Sequence, residues 1–335
     1  MRILLYSHWF YPSIGGVETI SRVLAEAFVH AGHEVTILTS TPGEPMAAPY
    51  AVVRHPSNAQ VRALARQHDI LLQNTISLRN LLPVLGSGCP VVVTHHSWLR
   101  RGDGSRGLEN YLKLAAVRLC ENVAISKAIA ASLPVRSTVI CNLFEADAFS
   151  YTPDAPRDRD LVFMGRLIPE KGCQLVLEAM GRLKVRGLTP TLSVIGDGPL
   201  LSVLQQQAEQ LGIAAQVEFL GALREGRGTQ VARHRILVAP SVWQEPFGLV
   251  ALEGIASGCA IVASSGGGLP DAVGPCGLYF PNGDVDALTA QLKRLLTDEA
   301  LQRELVAKGP EHLKAFAPDH VAARYLELFH KLLNR

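Results

Sequence analysis

Short apolar runs alternate with amphipathic segments along nearly the whole chain, and no other feature limits the fold as strongly. "RILLY", "EVTIL", "DILLQ", "PVVVT", "NVAIS" and "STVIC" read as buried strands. Helical periodicity lies between several of them, at Glu18–Ala31, Ser77–Leu85 and Leu108–Leu119. Strands joined in this way pair in parallel, because each crossover helix restores the strand direction and covers a sheet face. "FSYTPDAPRDRD" (Phe149–Asp160) is rich in Pro, Asp and Arg and has no period, which predicts a linker. A second series follows with "LVFMG", "LSVIG", "QVEFLG", "RILVAPS" and "AIVAS" as strands. Its helices are expected near Glu170–Arg186, Pro199–Leu211, Gly248–Ser257 and Asp284–Leu296. The prediction is an α/β protein of two doubly wound, Rossmann-like domains, 1–148 and 161–318, joined by 149–160 and followed by helical segments. Open α/β sheets bind ligands beyond the carboxyl ends of their strands, so the expected site is a cleft between the domains.

Composition agrees with two folded domains. The chain has 335 residues, and domains run roughly 100–200 residues. A hydrophobic fraction of 48% against 19% charged residues supplies a large core and argues against disorder. Net charge is +2, from 32 basic and 30 acidic side chains, which argues against a dedicated nucleic-acid binder. Cys89, Cys120, Cys141, Cys173, Cys259 and Cys276 form no CxxC pair and no zinc spacing, and read as reduced, mostly buried residues of a cytoplasmic protein. "MRILLYSHWFYP" reads as a first strand rather than a signal peptide. No run reaches the ~18 apolar residues that a membrane span needs.

Four loops that follow strands hold residues a plain turn does not need. In "SIGGVE" (Ser13–Glu18), Gly15 and Gly16 allow close backbone approach, and the helix that follows offers N–H groups to an anion; a tight turn explains the same residues equally well. In "MGRLIPEKG" (Met164–Gly172), Arg166 and Lys171 bracket a turn into a helix and suit a diphosphate, with a solvated surface pair as the competing reading. "GDGP" (Gly196–Pro199) is either a ligand contact at Gly196 or a turn in which Asp197 caps the next helix.

The fourth loop is "VWQEP", with a helix expected from Gly248. Glu245 lies before that helix, and Glu253 in its second turn leans back toward the start. A phosphate at the helix N-terminus, held by backbone at Phe247, Gly248 and Leu249, would sit between the two carboxylates. Each carboxylate could then accept hydrogen bonds from hydroxyls on one side of it. A nucleoside diphosphate sugar has that layout. The competing reading makes both glutamates surface partners of the helix dipole.

Together, "FYPSIGGVE", "VVVTHHS", "GRLIPEKG", "GDGP" and "PSVWQEPFGLVALEGIASGCAIVAS" followed by "GGLPDAV" resemble the motifs of the retaining, nucleotide-sugar-dependent glycosyltransferases of the GT-B fold, family 4 type. The Glu-x7-Glu element with its Pro-Phe-Gly is the most specific of them. The resemblance implies that Gly16 approaches the donor diphosphate, that Arg166 and Lys171 neutralise it, that Glu245 holds hydroxyls of the transferred sugar, and that Glu253 binds the ribose. It implies an N-terminal acceptor domain, a C-terminal donor domain, and a C-terminal helix, 319–335, that crosses back to the first domain. It also implies no metal and no cofactor beyond the nucleotide sugar itself, with a UDP-sugar favoured and GDP-mannose next. His96, at the end of what reads as the fourth strand, matches the family histidine that contacts the donor sugar from the acceptor side. His95 continues the alternation that buries Val91 and Val93 and is expected beside the sheet.

Two departures leave the acceptor open. The first domain looks trimmed around Thr41–Ser57, and "GALREGRGTQ" (Gly221–Gln230) reads as a Gly/Arg-rich turn where the family has an acidic loop and helix. The acceptor is a hydroxyl compound whose range includes lipid-linked and polysaccharide intermediates. "WLRRGDGSRG" (Trp98–Gly107) is read either as an acceptor loop or as a peripheral contact with an anionic membrane through Trp98, Arg100, Arg101 and Arg106. Among rivals, a nicotinamide dehydrogenase needs GxGxxG after a strand, which neither "SIGGVE" nor "SGGGLPDAVG" supplies. A P-loop enzyme needs GxxxxGK[ST], which is absent. A GT-B epimerase of nucleotide sugars and a non-catalytic sugar-binding protein remain as alternatives.

Overall fold

A computed structural model describes residues 1–13, 15–44, 47–99, 105, 107–149, 156–223 and 225–334. The chain divides into two compact units, Met1–Glu145 with Phe316–Arg335, and Ala146–Ala315.

In the first unit the order is β1 (Arg2–Tyr6), α1 (Gly16–His30), β2 (Glu34–Thr39), β3 (Ala51–Arg54), α2 (Asn58–Gln67), β4 (Ile70–Gln73), α3 (Leu78–Leu81), β5 (Val91–His95), α4 (Leu108–Ala116), β6 (Glu121–Ala124), α5 (Lys127–Ser132) and β7 (Thr138–Val139). The strands form one sheet in the order β3-β2-β1-β4-β5-β6-β7. Every pairing is parallel, with Ile3 opposite Val35 on one side and Ile70 on the other. Ile3, Leu4 and Leu5 are fully buried. A strand in mid-sheet covered on both faces excludes water from successive side chains, which is why "RILLY" is a continuous apolar run.

The second unit contains β8 (Arg159–Met164), α6 (Cys173–Val185), β9 (Leu192–Ile195), α7 (Leu201–Gln210), β10 (Val217–Gly221), α8 (Arg227–Ala232), β11 (His234–Ala239), α9 (Leu249–Ala256), β12 (Ala260–Ser264), α10 (Leu269–Val273), β13 (Gly277–Phe280), α11 (Val285–Thr297), α12 (Glu299–Ala307) and α13 (Gly309–Leu313). Its six strands run in the order β10-β9-β8-β11-β12-β13, all parallel. The chain moves outward from β8 in one direction and from β11 in the other. The loops after these two neighbours therefore open side by side at the switch point of the sheet, where ligands of such folds bind. The last helix, α14 (Pro318–Leu333), belongs to the first unit and packs on α1. Phe28 of α1 meets Tyr325 and Phe329, and the Tyr325 hydroxyl hydrogen bonds Thr94 Oγ1 at 2.9 Å.

The fold is the predicted one, with local corrections. "PVVVT" is the fifth strand and not the fourth, because Ala51–Arg54 adds an edge strand inside the stretch that looked trimmed. Ser77–Leu85 is a single α-turn running into a 3-10 turn at Leu82–Val84. The predicted linker is structured at both ends. Phe149 is buried beneath the Arg227 guanidinium, 5.4 Å from the ring centroid, and Asp160 lies in β8. Residues 150–155 of it lie outside the described residues. "GALREGRGTQ" is not simply a turn, because α8 forms within it once Val231 finds a buried place. The cysteines are free, with Cys173, Cys259 and Cys276 buried and the other three only partly so.

Candidate active site

Three loops of the second unit build the switch-point surface, and each is held by the next. The loop after β8 is tied to the "GDGP" loop, with Leu167 N–H donating to Asp197 O and Leu200 N–H to Leu167 O. The loop after β11 is tied to it by Val242 N–H donating to Glu170 O at 2.9 Å. On its other side, Glu245 forms a parallel bridge with Gly267, and its carbonyl accepts from Gly268 N–H at 2.7 Å. Asn282 braces the same place. Its Nδ2 donates to Ser241 O and Trp243 O, and its Oδ1 accepts from Gly266 N–H.

Glu245 is 6% exposed, so its carboxylate needs partners. Lys171 Nζ donates to Oε1 at 2.5 Å and Ser241 Oγ donates to the same oxygen at 2.7 Å. Lys171 closes a 3-10 turn, Pro169–Lys171, that delivers its amine from the neighbouring loop. The structure thus joins two predicted site residues directly. It leaves Arg166 exposed on the same loop, its guanidinium without a hydrogen bond or ion pair among the described residues.

Phe247 is buried, Gly248 is the N-cap of α9 with a left-handed backbone, and Leu249 is its first residue. The first N–H groups of a helix have no partner within it, so the start of α9 presents donors beside Glu245. Glu253 lies in the second turn and is mostly covered, with Arg227 Nη1 3.9 Å from its carboxylate. The place of Gly196 has a packing explanation. Its φ is +148°, and a Cβ there would lie 1.9 Å from Gly165 O, so the two loops meet only if residue 196 is glycine. Asp197 does not cap the following helix. That helix begins at Leu201 with no side-chain cap, and Asp197 Oδ1 instead accepts from Gly198 N–H at 2.7 Å.

In the first unit, Gly15 is the N-cap of α1 and Gly16 its first residue. The Glu18 carboxylate folds over Gly15 and also accepts from Ser13 Oγ, so an acid of this chain lies at the helix start. His95 ends β5 and its Nε2 bonds Asn122 Oδ1 at 2.9 Å. The Asn122 amide donates to Val117 O and Cys120 O, which leaves Oδ1 as the acceptor and fixes the proton of His95 on Nε2. His96 is 8% exposed, and both its ring nitrogens lack a partner among the described residues. Burial, reinforced by His95, pushes its pKa down to about 3, so the ring is neutral at pH 7. Trp98 is half-buried, and Arg100, Arg101 and Arg106 lie outside the described residues.

Sequence reasoning missed Ser241, Asn282 and Arg227. Asn282 sits in "PNGD", whose turn chemistry conceals a brace, and Ser241 looks like the end of a strand.

Two parallel-sheet α/β units, one carrying a cation-held glutamate and a helix start at its switch point, define a GT-B architecture. HepE of Anabaena, solved with UDP and glucose, superposes with a TM-score of 0.82 at 19% identity, covering 99% of this chain and 100% of that one. A family model described as "Glycosyltransferase Family 4" matches residues 14–136, and one described as "Glycosyl transferases group 1" matches 149–312. The chain belongs to the family 4 type of GT-B glycosyltransferases. It is 34% identical over 183 residues to D-inositol 3-phosphate glycosyltransferase of Rhodococcus opacus; the match spans 52% of this chain and 41% of that relative. It is 25% identical over 364 residues to phosphatidyl-myo-inositol mannosyltransferase of Mycolicibacterium smegmatis, covering 98% and 93%.

Proposed function

We propose that this protein transfers a sugar from a nucleoside diphosphate sugar to a hydroxyl acceptor, with retention at the anomeric carbon and without a metal. The observation that carries the reading is the convergence, at one switch point, of an arginine with no ion pair among the described residues, a buried glutamate held by lysine, and the start of α9. Arg166 and the helix start receive the diphosphate, and Lys171 adds positive charge beside it. Glu245 uses Oε2, the oxygen not taken by Lys171 and Ser241, to hold sugar hydroxyls. Glu253 accepts from the ribose. As the anomeric C–O bond to the diphosphate breaks, charge grows on the leaving oxygen. The acceptor oxygen bonds the same face of the anomeric carbon and passes its proton to that leaving oxygen. Neutral His96 supplies a hydrogen-bonding imidazole and not a nucleophile.

A UDP-sugar is the favoured donor, in line with the UDP and glucose of the Anabaena structure, and a mannosyl donor such as GDP-mannose is second, in line with the mycobacterial relative. Inositol-containing and lipid-linked hydroxyls head the acceptor classes for the same reason. No helix among the described residues is long and apolar enough to cross a membrane. Peripheral contact with a lipid surface is the corresponding proposal. It draws support from Leu108, Tyr111, Leu112 and Leu119 on and just after α4, all more than half exposed.

The test is a thermal-shift comparison of UDP- and GDP-sugars, since a ligand of the native state raises the melting temperature. NMR assignment of the product anomer with the preferred donor follows. Stabilisation by one nucleotide sugar and a retained anomer are expected. Inversion, or no response to any nucleotide sugar, overturns the reading. Conversion of donor without acceptor would point to an epimerase instead.

A further inference from the structure

The first unit holds a second cationic place, which shares no residue with the site above. A cavity of about 600 Å³ lies between α2 and the 3-10 turn at Leu82–Val84, and Arg62, Arg66 and Arg79 all line it. No acidic side chain is among its described lining residues. Several arginines elsewhere meet carboxylates: Arg2 pairs with Asp69, Arg22 with Glu26, Arg159 with Glu218, Arg233 with Asp158 and Arg235 with Asp160. In the cavity, Arg62 Nε donates only to the Pro83 carbonyl, and the Arg66 and Arg79 guanidinium groups have no hydrogen bond or ion pair among the described residues.

This grouping opposes the chain's own electrostatics. Arg62 and Arg66 are four apart on one helix, where like charges repel, and Arg79 brings a third charge from another element. Residues 45–102 contain six arginines but a single acid, Asp69, which is engaged by Arg2. The cavity runs along α2 from Asn58, its first residue, to Arg66 in its last turn. The positive end of the helix dipole adds to the field only at the Asn58 end. Planar guanidinium forks match phosphate oxygens in pairs. The rest of the wall is apolar, with Ala63, Pro83 and the 62%-exposed Leu82 beside the arginines.

We propose that the Arg62–Arg66–Arg79 cavity binds a phosphoryl group, a phosphate mono- or diester whose remainder rests on the apolar wall. It shares no residue with the proposed nucleotide-sugar site and does not depend on the reaction assigned there. A small phosphorylated molecule and the headgroup of an anionic phospholipid share this chemistry.

The test uses the full chain, in low salt, with two probes. Glycerol 1-phosphate is titrated by calorimetry, and vesicles of phosphatidylglycerol in phosphatidylcholine are compared with phosphatidylcholine alone by co-sedimentation. The wild type is set against Arg66→Ala/Arg79→Ala, both exposed positions, and against Arg303→Ala, an exposed arginine of α12 in the other unit. Circular dichroism confirms that each variant is folded. At least a tenfold loss of binding in the double variant, with Arg303→Ala unchanged, is expected. Binding of the soluble ester assigns the site to small phosphorylated molecules, and binding of vesicles alone assigns it to lipid headgroups. If neither probe binds the wild type, or if the double variant binds as tightly, the assignment is wrong.

Discussion

Lys171 Nζ and Glu245 Oε1 stand 2.5 Å apart, on loops that leave the neighbouring strands β8 and β11. The carboxylate is buried and its amine partner only partly so. Ser241 donates to the same oxygen, so Oε1 is saturated and Oε2 is the atom left for a ligand. The pair fixes the side chain that the proposed reaction uses to hold the sugar.

Removing the lysine leaves a buried carboxylate with one neutral donor. Lys171→Ala should destabilise the second unit by about 1–3 kcal/mol, below the range for a fully buried pair because the amine is partly solvated. Lys171→Ala/Glu245→Gln should cost less than the sum of the single changes, measured by urea unfolding. Strict additivity would mean that the two groups do not support each other.

Gly267 tests the backbone that carries Glu245. Its φ is +73°, and a Cβ would lie 2.2 Å from Glu245 O. Gly283 has a similar φ of +80° with open space around it. Gly283→Ala should cost about 1 kcal/mol from conformation alone, and Gly267→Ala roughly 2 kcal/mol or more because the bridge must also shift. Equal melting temperatures for the two variants would show that the loop yields freely.

Much of this was readable before any coordinates, and the gaps have physical causes. Central strands such as "RILLY" and "AIVAS" are buried on both faces, so their runs are unbroken. The missed strands, Ala51–Arg54 and Gly277–Phe280, lie at sheet edges and are mostly half-buried, which weakens the signal. Arg166, Lys171, Glu245 and Glu253 were picked out by their loops, but the partner of Glu245 was not. Lys171 is 74 residues away, and only the adjacency of β8 and β11 brings it near. Asn282 is invisible for the same reason, since it braces the backbone of another loop, whereas Ser241, four residues before Glu245 on the same loop, reads as the end of a strand.

Glu253 should matter mainly for donor binding. A hydrogen bond to a charged acceptor contributes about 1.5–3 kcal/mol, so Glu253→Ala should raise the donor KM roughly ten- to a hundredfold. Arg227, 3.9 Å from that carboxylate, is proposed to orient it and not to bind the ribose itself. Arg227→Ala should raise the KM by a smaller factor. An unchanged donor KM in Glu253→Ala would remove that residue from the site.

Arg166 should act most in the transition state, because charge on the diphosphate grows as the glycosidic bond breaks. Arg166→Ala should lower kcat by a larger factor than it raises the donor Kd. Its side chain has no partner among the described residues to lose, so the unfolding midpoint should stay close to wild type. Full activity in EDTA is expected as well, and loss in EDTA with rescue by magnesium or manganese would contradict the proposed metal independence.

His96 allows one experiment to separate burial from catalysis. In the folded chain, burial and the neighbouring His95 hold its pKa near 3, against about 6.5 in an unfolded chain. Between those values the unfolded state binds the additional proton. The contribution of His96 is therefore present above about pH 6.5 and is lost as pH falls, on the order of 3 kcal/mol by pH 4. His96→Gln removes the titration, so its stability should decline less between pH 6.5 and pH 4 than that of the wild type. At pH 7 the same variant should lose turnover, because the unpartnered ring nitrogens are what the reaction is proposed to use. His95→Gln, which breaks the bond to Asn122, should instead lower stability at pH 7 and lower turnover less. If His96→Gln kept the wild-type acid profile, the ring would be solvated in solution. If it flattened that profile and kept full turnover, His96 would be a buried structural residue, and the proposed chemistry would rest on the second unit alone.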